Sequence, residues 1–118
     1  MENFRVYYHP ACSKCKKLRV LLASQDIYVD WINYLETPLR AEELLKLIEK
    51  MQVKPSQVIR MSEEERLSLS EEEVFDLLVA QPELLNRPIV EQDDSAFLCR
   101  PLEVIKEKMP AYDWSEYL

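Results

Sequence analysis

Tyr7-Tyr8-His9-Pro10-Ala11-Cys12-Ser13-Lys14-Cys15-Lys16-Lys17-Leu18 joins a run of strand formers to a helical apolar pattern through a proline and a Cys-x-x-Cys pair. Phe4 to Tyr8 reads as a strand. Leu18, Leu21 and Leu22 set one face of a helix from about Ser13 to Ser24. Cys12 then stands at a helix N-terminus, where unpaired backbone N–H groups and the helix dipole favour a thiolate. Lys14, Lys16 and Lys17 place positive charge within five residues of it and push the same way. An ordinary thiol titrates near ~8.5, so a modest downward shift makes Cys12 nucleophilic at neutral pH.

Working outward, Ile27 to Tyr34 is β-branched and aromatic and reads as a second strand. Two strands joined through a helix imply a βαβ unit with parallel pairing and a right-handed crossover. Thr37-Pro38 marks a turn or helix start, with Pro at an early helical position, Glu42 and Glu43 in the first turn and Leu44, Leu47, Ile48 and Met51 at helical spacing. Pro55 opens a short helix containing Val58 and Ile59 and ending near Arg60. Ser62 with Glu65 and Ser70 with Glu73 form two capping boxes, the second leading into Val74, Leu77 and Leu78. Pro82 starts a short turn through Leu84 and Leu85. The span 38–86 is therefore expected to be a helical block. Its acidic runs, Glu63 to Glu65 and Glu71 to Glu73, read as helix N-terminal charge on a solvated face.

Strand character returns at Ile89-Val90, with Asp93-Asp94 as a hairpin tip and Ala96 to Cys99 as the return strand. Pro101 opens a last helix with Val104, Ile105 and Met109. The tail 110–118 carries Tyr112, Trp114 and Tyr117 and is expected to pack on the body, since a free aromatic tail is a sticky surface. The predicted fold is a single α/β domain: β-α-β, an inserted helical block, then β-β-α. Outside the block this is the element order of a thioredoxin or glutaredoxin core, for which Cys-x-x-C after the first strand is the sequence signal.

Composition narrows the classes of function. The 118 residues suffice for one core but not two. The sequence has no apolar run long enough to span a bilayer, and Glu2, Arg5 and His9 break any leader-like stretch. Three cysteines are an odd count for a disulfide framework, so a reducing, cytoplasmic location is expected. Fifteen basic against 22 acidic side chains give −7, which argues against non-specific nucleic-acid binding. With no glycine anywhere, the turns must rely on Asn, Asp, Ser and Pro.

Four segments together carry a family likeness: His9-Pro10-Ala11-Cys12-Ser13-Lys14-Cys15, Tyr34-Leu35-Glu36-Thr37-Pro38, Asn86-Arg87-Pro88-Ile89-Val90 and Leu98-Cys99-Arg100-Pro101. In that order, on those element types, they resemble the glutaredoxin-coupled arsenate reductase family (ArsC/Spx), across roughly Phe4 to Met109. The resemblance implies a thioredoxin-like fold with an inserted helical block. It also implies that Cys12 attacks the arsenic of arsenate and that Arg60, Arg87 and Arg100 hold the oxyanion. A tetrahedral oxyanion suits planar donor forks that stay charged when partly buried. Pro88 matches the cis-proline that such folds place opposite the active cysteine. The implied partners are a small oxyanion, glutathione or another thiol as co-substrate, and glutaredoxin or thioredoxin as reductant. No bound cofactor, nucleic acid or membrane is implied.

The likeness departs at Tyr8-His9, where reductases of the family carry His-Asn, so the imidazole is displaced by one residue. Strand alternation would then turn His9 away from Cys12. Cys15 stands where the reductases commonly have serine, one helical turn after Cys12. That spacing suggests that Cys15 attacks the Cys12 adduct and closes a disulfide, with a small buried core residue as the alternative. Cys99 reads as core. His9, Cys12, Cys15 and Cys99 include the residue types of a zinc site, but a single Cys-x-x-Cys lacks the second paired knuckle, so no metal is expected. The alternatives to a reductase are a Spx-like redox sensor that binds RNA polymerase and a thiol-disulfide oxidoreductase. Arg100 separates the first of these, since Spx proteins lack that arginine.

Overall fold

A computed structural model describes residues 4–115 and 118. Strand β1 (Phe4–Tyr8) leads through helix α1 (Ser13–Ser24) to β2 (Val29–Asn33), and the two strands pair in parallel, Phe4 opposite Val29 and Tyr8 opposite Asn33. Three helices follow: α2 (Ala41–Met51), α3 (Glu63–Leu67) and α4 (Glu71–Ala80), with 3-10 turns at Pro55–Gln57 and Pro82–Leu84. The chain then forms the antiparallel hairpin β3 (Ile89–Glu91) and β4 (Ala96–Leu98) and ends on α5 (Val104–Lys108). The sheet order is β2-β1-β3-β4, with β3 antiparallel to β1.

Strand alternation sorts the core into two layers. Phe4 and Val6 face one side with Val90 and Phe97, where Leu18, Leu21 and Leu22 of α1 and Ile105 of α5 cover them. Tyr7, Ile89 and Ala96 face the other side, packed by Leu44, Leu47 and Ile48 of α2 and by Val74 and Leu78 of α4. Each fully buried aliphatic side chain contributes about 1.5–3 kcal/mol. The two layers therefore clamp the sheet from both faces. A buried carboxylate ties α2 to the sheet: Glu91 accepts from the Tyr7 hydroxyl at 2.7 Å and from Lys50 Nζ at 2.8 Å. The tail is held by Trp114, 3% exposed, whose indole N–H donates to the Met109 carbonyl at 2.9 Å. Tyr117 lies outside the described residues. Among the described residues no helix is long and apolar enough to cross a membrane.

Several local expectations need correcting. Of the two readings of Thr37-Pro38 the turn holds and the helix start does not: Pro38 lies outside α2, which begins at Ala41, where Glu43 Oε1 accepts from the Arg40 backbone N–H and Nε at 3.1 Å. The Pro55 helix stops at Gln57, because Ile59 is drawn into an antiparallel bridge with Leu85. Ser70 and Glu73 make the reciprocal capping box, whereas Ser62 only accepts from Glu65 N–H. With no glycine to take left-handed backbone, Asp26 (φ 55°) and Gln52 (φ 57°) adopt it after α1 and α2.

Candidate active site

One edge of the sheet collects the site. β1 and β2 end there, β3 begins there, and β4 leaves through Cys99-Arg100-Pro101. Cys99 N–H donates to the Pro88 carbonyl at 2.9 Å, and the Arg87–Pro88 and Arg100–Pro101 peptides are both cis.

Cys12 is the N-cap of α1, in extended backbone, and the Lys16 N–H donates to its carbonyl at 3.2 Å to close the first helical turn. The thiol is buried at 8% exposure. Burial raises its pKa, but hydrogen bonds from the Cys15 thiol, the Cys15 and Lys14 backbone N–H groups and the Arg87 guanidinium outweigh it, so the net displacement is downward. The Cys15 thiol is the first of these donors, the helix-end N–H groups follow, and Arg87 adds the least. Cys15 moves the opposite way, to about 12, through burial and through the hydrogen bond and negative charge it shares with Cys12. One thiol ionises at the expense of the other. Cys99 is fully buried, its Sγ 3.7 Å from the Leu102 carbonyl, and burial pushes it to about 12.

Arg87 arrives at Cys12 on the segment before β3. Its backbone N–H donates to Asn86 Oδ1 at 3.0 Å and its Nη1 to the Glu83 carbonyl at 3.1 Å. Its Nε is buried without a hydrogen-bond partner. Arg100 Nη1 donates to the Arg87 carbonyl at 3.1 Å, and Arg60 Nη1 lies 3.4 Å from Asn86 Oδ1. The Ile59–Leu85 bridge sets Arg60 beside this segment, with Arg60 N–H donating to Leu84 O at 2.7 Å and Asn86 N–H to Val58 O at 2.8 Å. Of the three arginines, Arg87 therefore acts on Cys12 directly, and the other two attach to the Asn86-Arg87 segment.

His9 sits past the end of β1, and its contact with Cys12 is through the backbone. Its Nδ1 accepts from the Ala11 N–H at 3.0 Å, while its carbonyl accepts from the Cys12 N–H at 3.1 Å. A cavity of about 210 Å³ opens behind Cys15, between His9, Lys16, Arg19 and Trp31. Among the described residues no three His, Cys, Asp or Glu side chains gather as a metal site.

Two contributors carry no role in the sequence reading. Asn86 spaces Arg60 and Arg87 with a single amide oxygen. Tyr34, 1% exposed, donates to the Leu85 carbonyl at 2.9 Å, burial raising its phenol to about 12, with Arg87 beside it. Its sequence signal is its place at the head of the Tyr34-Leu35-Glu36-Thr37-Pro38 segment, one residue past the end of β2.

The ArsC family model matches residues 7–108. An arsenate reductase of Escherichia coli K12 is 34% identical over 117 residues, covering 93% of this chain and 83% of that protein. An uncharacterised E. coli K12 protein, YfgD, is 30% identical, covering 90% of this chain and 96% of its own length. The solved structure of an arsenate reductase from Vibrio cholerae superposes with a TM-score of 0.79 at 32% identity, covering 89% of this chain and 96% of that one.

Proposed function

The chain belongs to the ArsC family, and from that premise we propose that it is a thiol-based arsenate reductase. In this reading Cys12 is the nucleophile, and Arg60, Arg87 and Arg100 hold the oxyanion. The observation that carries it is Arg87: its guanidinium stabilises the Cys12 thiolate while its buried Nε has no partner. A buried N–H left unpaired costs about 1–3 kcal/mol, which an anion at that point would recover. Arg60 and Arg100, attached to the same segment, would bring two further forks.

The Cys12 thiolate attacks As(V), forming an S–As bond as one arsenate oxygen leaves as water. The second thiol then attacks Cys12 Sγ. An S–S bond forms, the S–As bond breaks, and its electron pair stays on arsenic, which leaves as arsenite. Two thiols thereby supply the two electrons, and no bound cofactor is required. Cys15 is the second thiol in our proposal. Its pKa is held up partly by the Cys12 thiolate, and that charge disappears once Cys12 bonds to arsenic, so Cys15 becomes easier to ionise when it is needed. Glutathione, glutaredoxin or thioredoxin would reduce the Cys12–Cys15 disulfide, with the cavity behind Cys15 as the approach for a small thiol. A reducing cytoplasm is the setting this chemistry suits. The engagement of Arg100 at the site favours this reading over a Spx-like regulator.

Mass spectrometry of reduced protein exposed once to arsenate, without external thiol, tests the scheme. A Cys12–Cys15 bridge is expected in wild type, and a retained arsenic adduct in Cys15→Ser. Turnover by Cys15→Ser at the wild-type rate, with no bridge in wild type, would remove Cys15 from the mechanism.

A further inference from the structure

The cavity of about 210 Å³ behind Cys15 is separate from the arginine cluster. Cys15 lines it and Cys12 does not; the rest of its wall is the Tyr8–Pro10 segment, Lys16, Arg19 and Trp31. Cys15 and Arg19 stand at i and i+4 on α1, so the guanidinium belongs to the helical turn directly after the thiol. Arg19 is held in place by aromatic rings: its Cζ lies 4.4 Å from the Trp31 centroid and 5.7 Å from that of Tyr8. The two rings meet edge to face at 6.0 Å. Stacking of this kind fixes a guanidinium and leaves its N–H edge open to a carboxylate. Among the described residues neither Arg19 nor Lys16 enters an ion pair, and no carboxylate side chain lines the cavity. In a chain of net charge −7, two unpaired cations beside one thiol mark a place for a negative ligand.

We propose that this cavity binds a small thiol carrying a carboxylate, which Arg19 and Lys16 hold while its sulfur attacks Cys15 Sγ of the Cys12–Cys15 disulfide; this rests on the disulfide proposed above. The incoming thiol gives its proton to solvent and forms an S–S bond to Cys15. The Cys12–Cys15 bond breaks, and its electron pair leaves on Cys12 Sγ, restoring the nucleophile. A second thiolate attacks the sulfur of the bound thiol, releases it as a small-molecule disulfide, and leaves Cys15 to take up a proton. Two external thiols are thereby oxidised and the protein disulfide is reduced. The direction of attack follows from access and from the leaving group. The cavity reaches Cys15, and Cys12, the sulfur whose anion the site stabilises, leaves more readily.

Protein oxidised with diamide carries the disulfide without arsenate, and its reduction by glutathione and by glutathione ethyl ester tests the site. The two thiols differ by the one carboxylate that the ester masks. Wild type should be reduced about fivefold faster by glutathione at low thiol concentration, and added salt should erase the difference. Lys16→Gln/Arg19→Gln should lose the preference while keeping the wild-type rate with the ester, and Arg19→Lys should retain part of it. Acid-quenched samples should carry glutathione on Cys15. Equal rates for the two thiols in wild type, or glutathione found on Cys12, would overturn the proposal and leave the reduction of arsenate through Cys12 and Cys15 untouched. Diamide-treated protein without a Cys12–Cys15 bridge would remove both this site and the role of Cys15 above.

Discussion

At the scale of single residues, the site is an exchange of protons and charge around Cys12. That Cys12 would be the ionised thiol was legible from its place between a strand and a helix. Of the agents of that ionisation, the helix-end N–H groups were legible as well, whereas the Cys15 thiol and Arg87 were not. Lys14, Lys16 and Lys17 are near in sequence, but Lys16 and Lys17 are exposed on α1, whereas Arg87, 75 positions away, is among the groups that lower the Cys12 pKa. Sequence distance says nothing about where a flexible side chain points. Two consequences can be measured by the pH dependence of alkylation. Wild-type Cys12 should react with its midpoint below that of an ordinary thiol, since a depressed pKa keeps the anion populated to lower pH. Arg87→Ala should move that midpoint upward toward the ordinary value, while Lys17→Ala should leave it in place.

At the scale of elements, α1 and the hairpin follow directly from local pattern. Ser13 to Ser24 is the span that the leucine spacing predicts, and Asp93-Asp94 sits at the tip closed by Gln92 N–H to Ser95 O at 2.7 Å. The failures lie where a long-range contact overrides a local signal. The Leu85 segment claims Ile59 from the Pro55 helix, and Arg40 with Glu43 begins α2 three residues after Pro38. That override also builds the site, because the Ile59–Leu85 bridge is what brings Arg60 to Asn86. The absence of glycine leaves Gln52 in left-handed backbone at the end of α2. A non-glycine residue there costs about 1–2 kcal/mol, and glycine returns part of that as unfolded-state entropy. Gln52→Gly should therefore stabilise the protein by roughly 0.5–1 kcal/mol, read as a higher urea midpoint with an unchanged m-value.

At the scale of the molecule, the sheet has two covered faces and one chemical edge. The element order and the parallel β1–β2 pair could be read from the sequence, because periodicity reports which faces are apolar. The position of β3 between β1 and β4 could not, since it depends on pairings 80 and more residues apart. That placement makes three distant segments, around Cys12, Arg87 and Arg100, meet at one edge. In the function we propose, that convergence serves chemistry on an oxyanion. Single-turnover release of arsenite from arsenate, measured in the presence of glutathione and glutaredoxin, tests this most directly. The account predicts stoichiometric arsenite from wild type, none from Cys12→Ser, and a yield or rate lowered at least tenfold in Arg100→Ala; wild-type protein that releases no arsenite under either glutaredoxin or thioredoxin would contradict it.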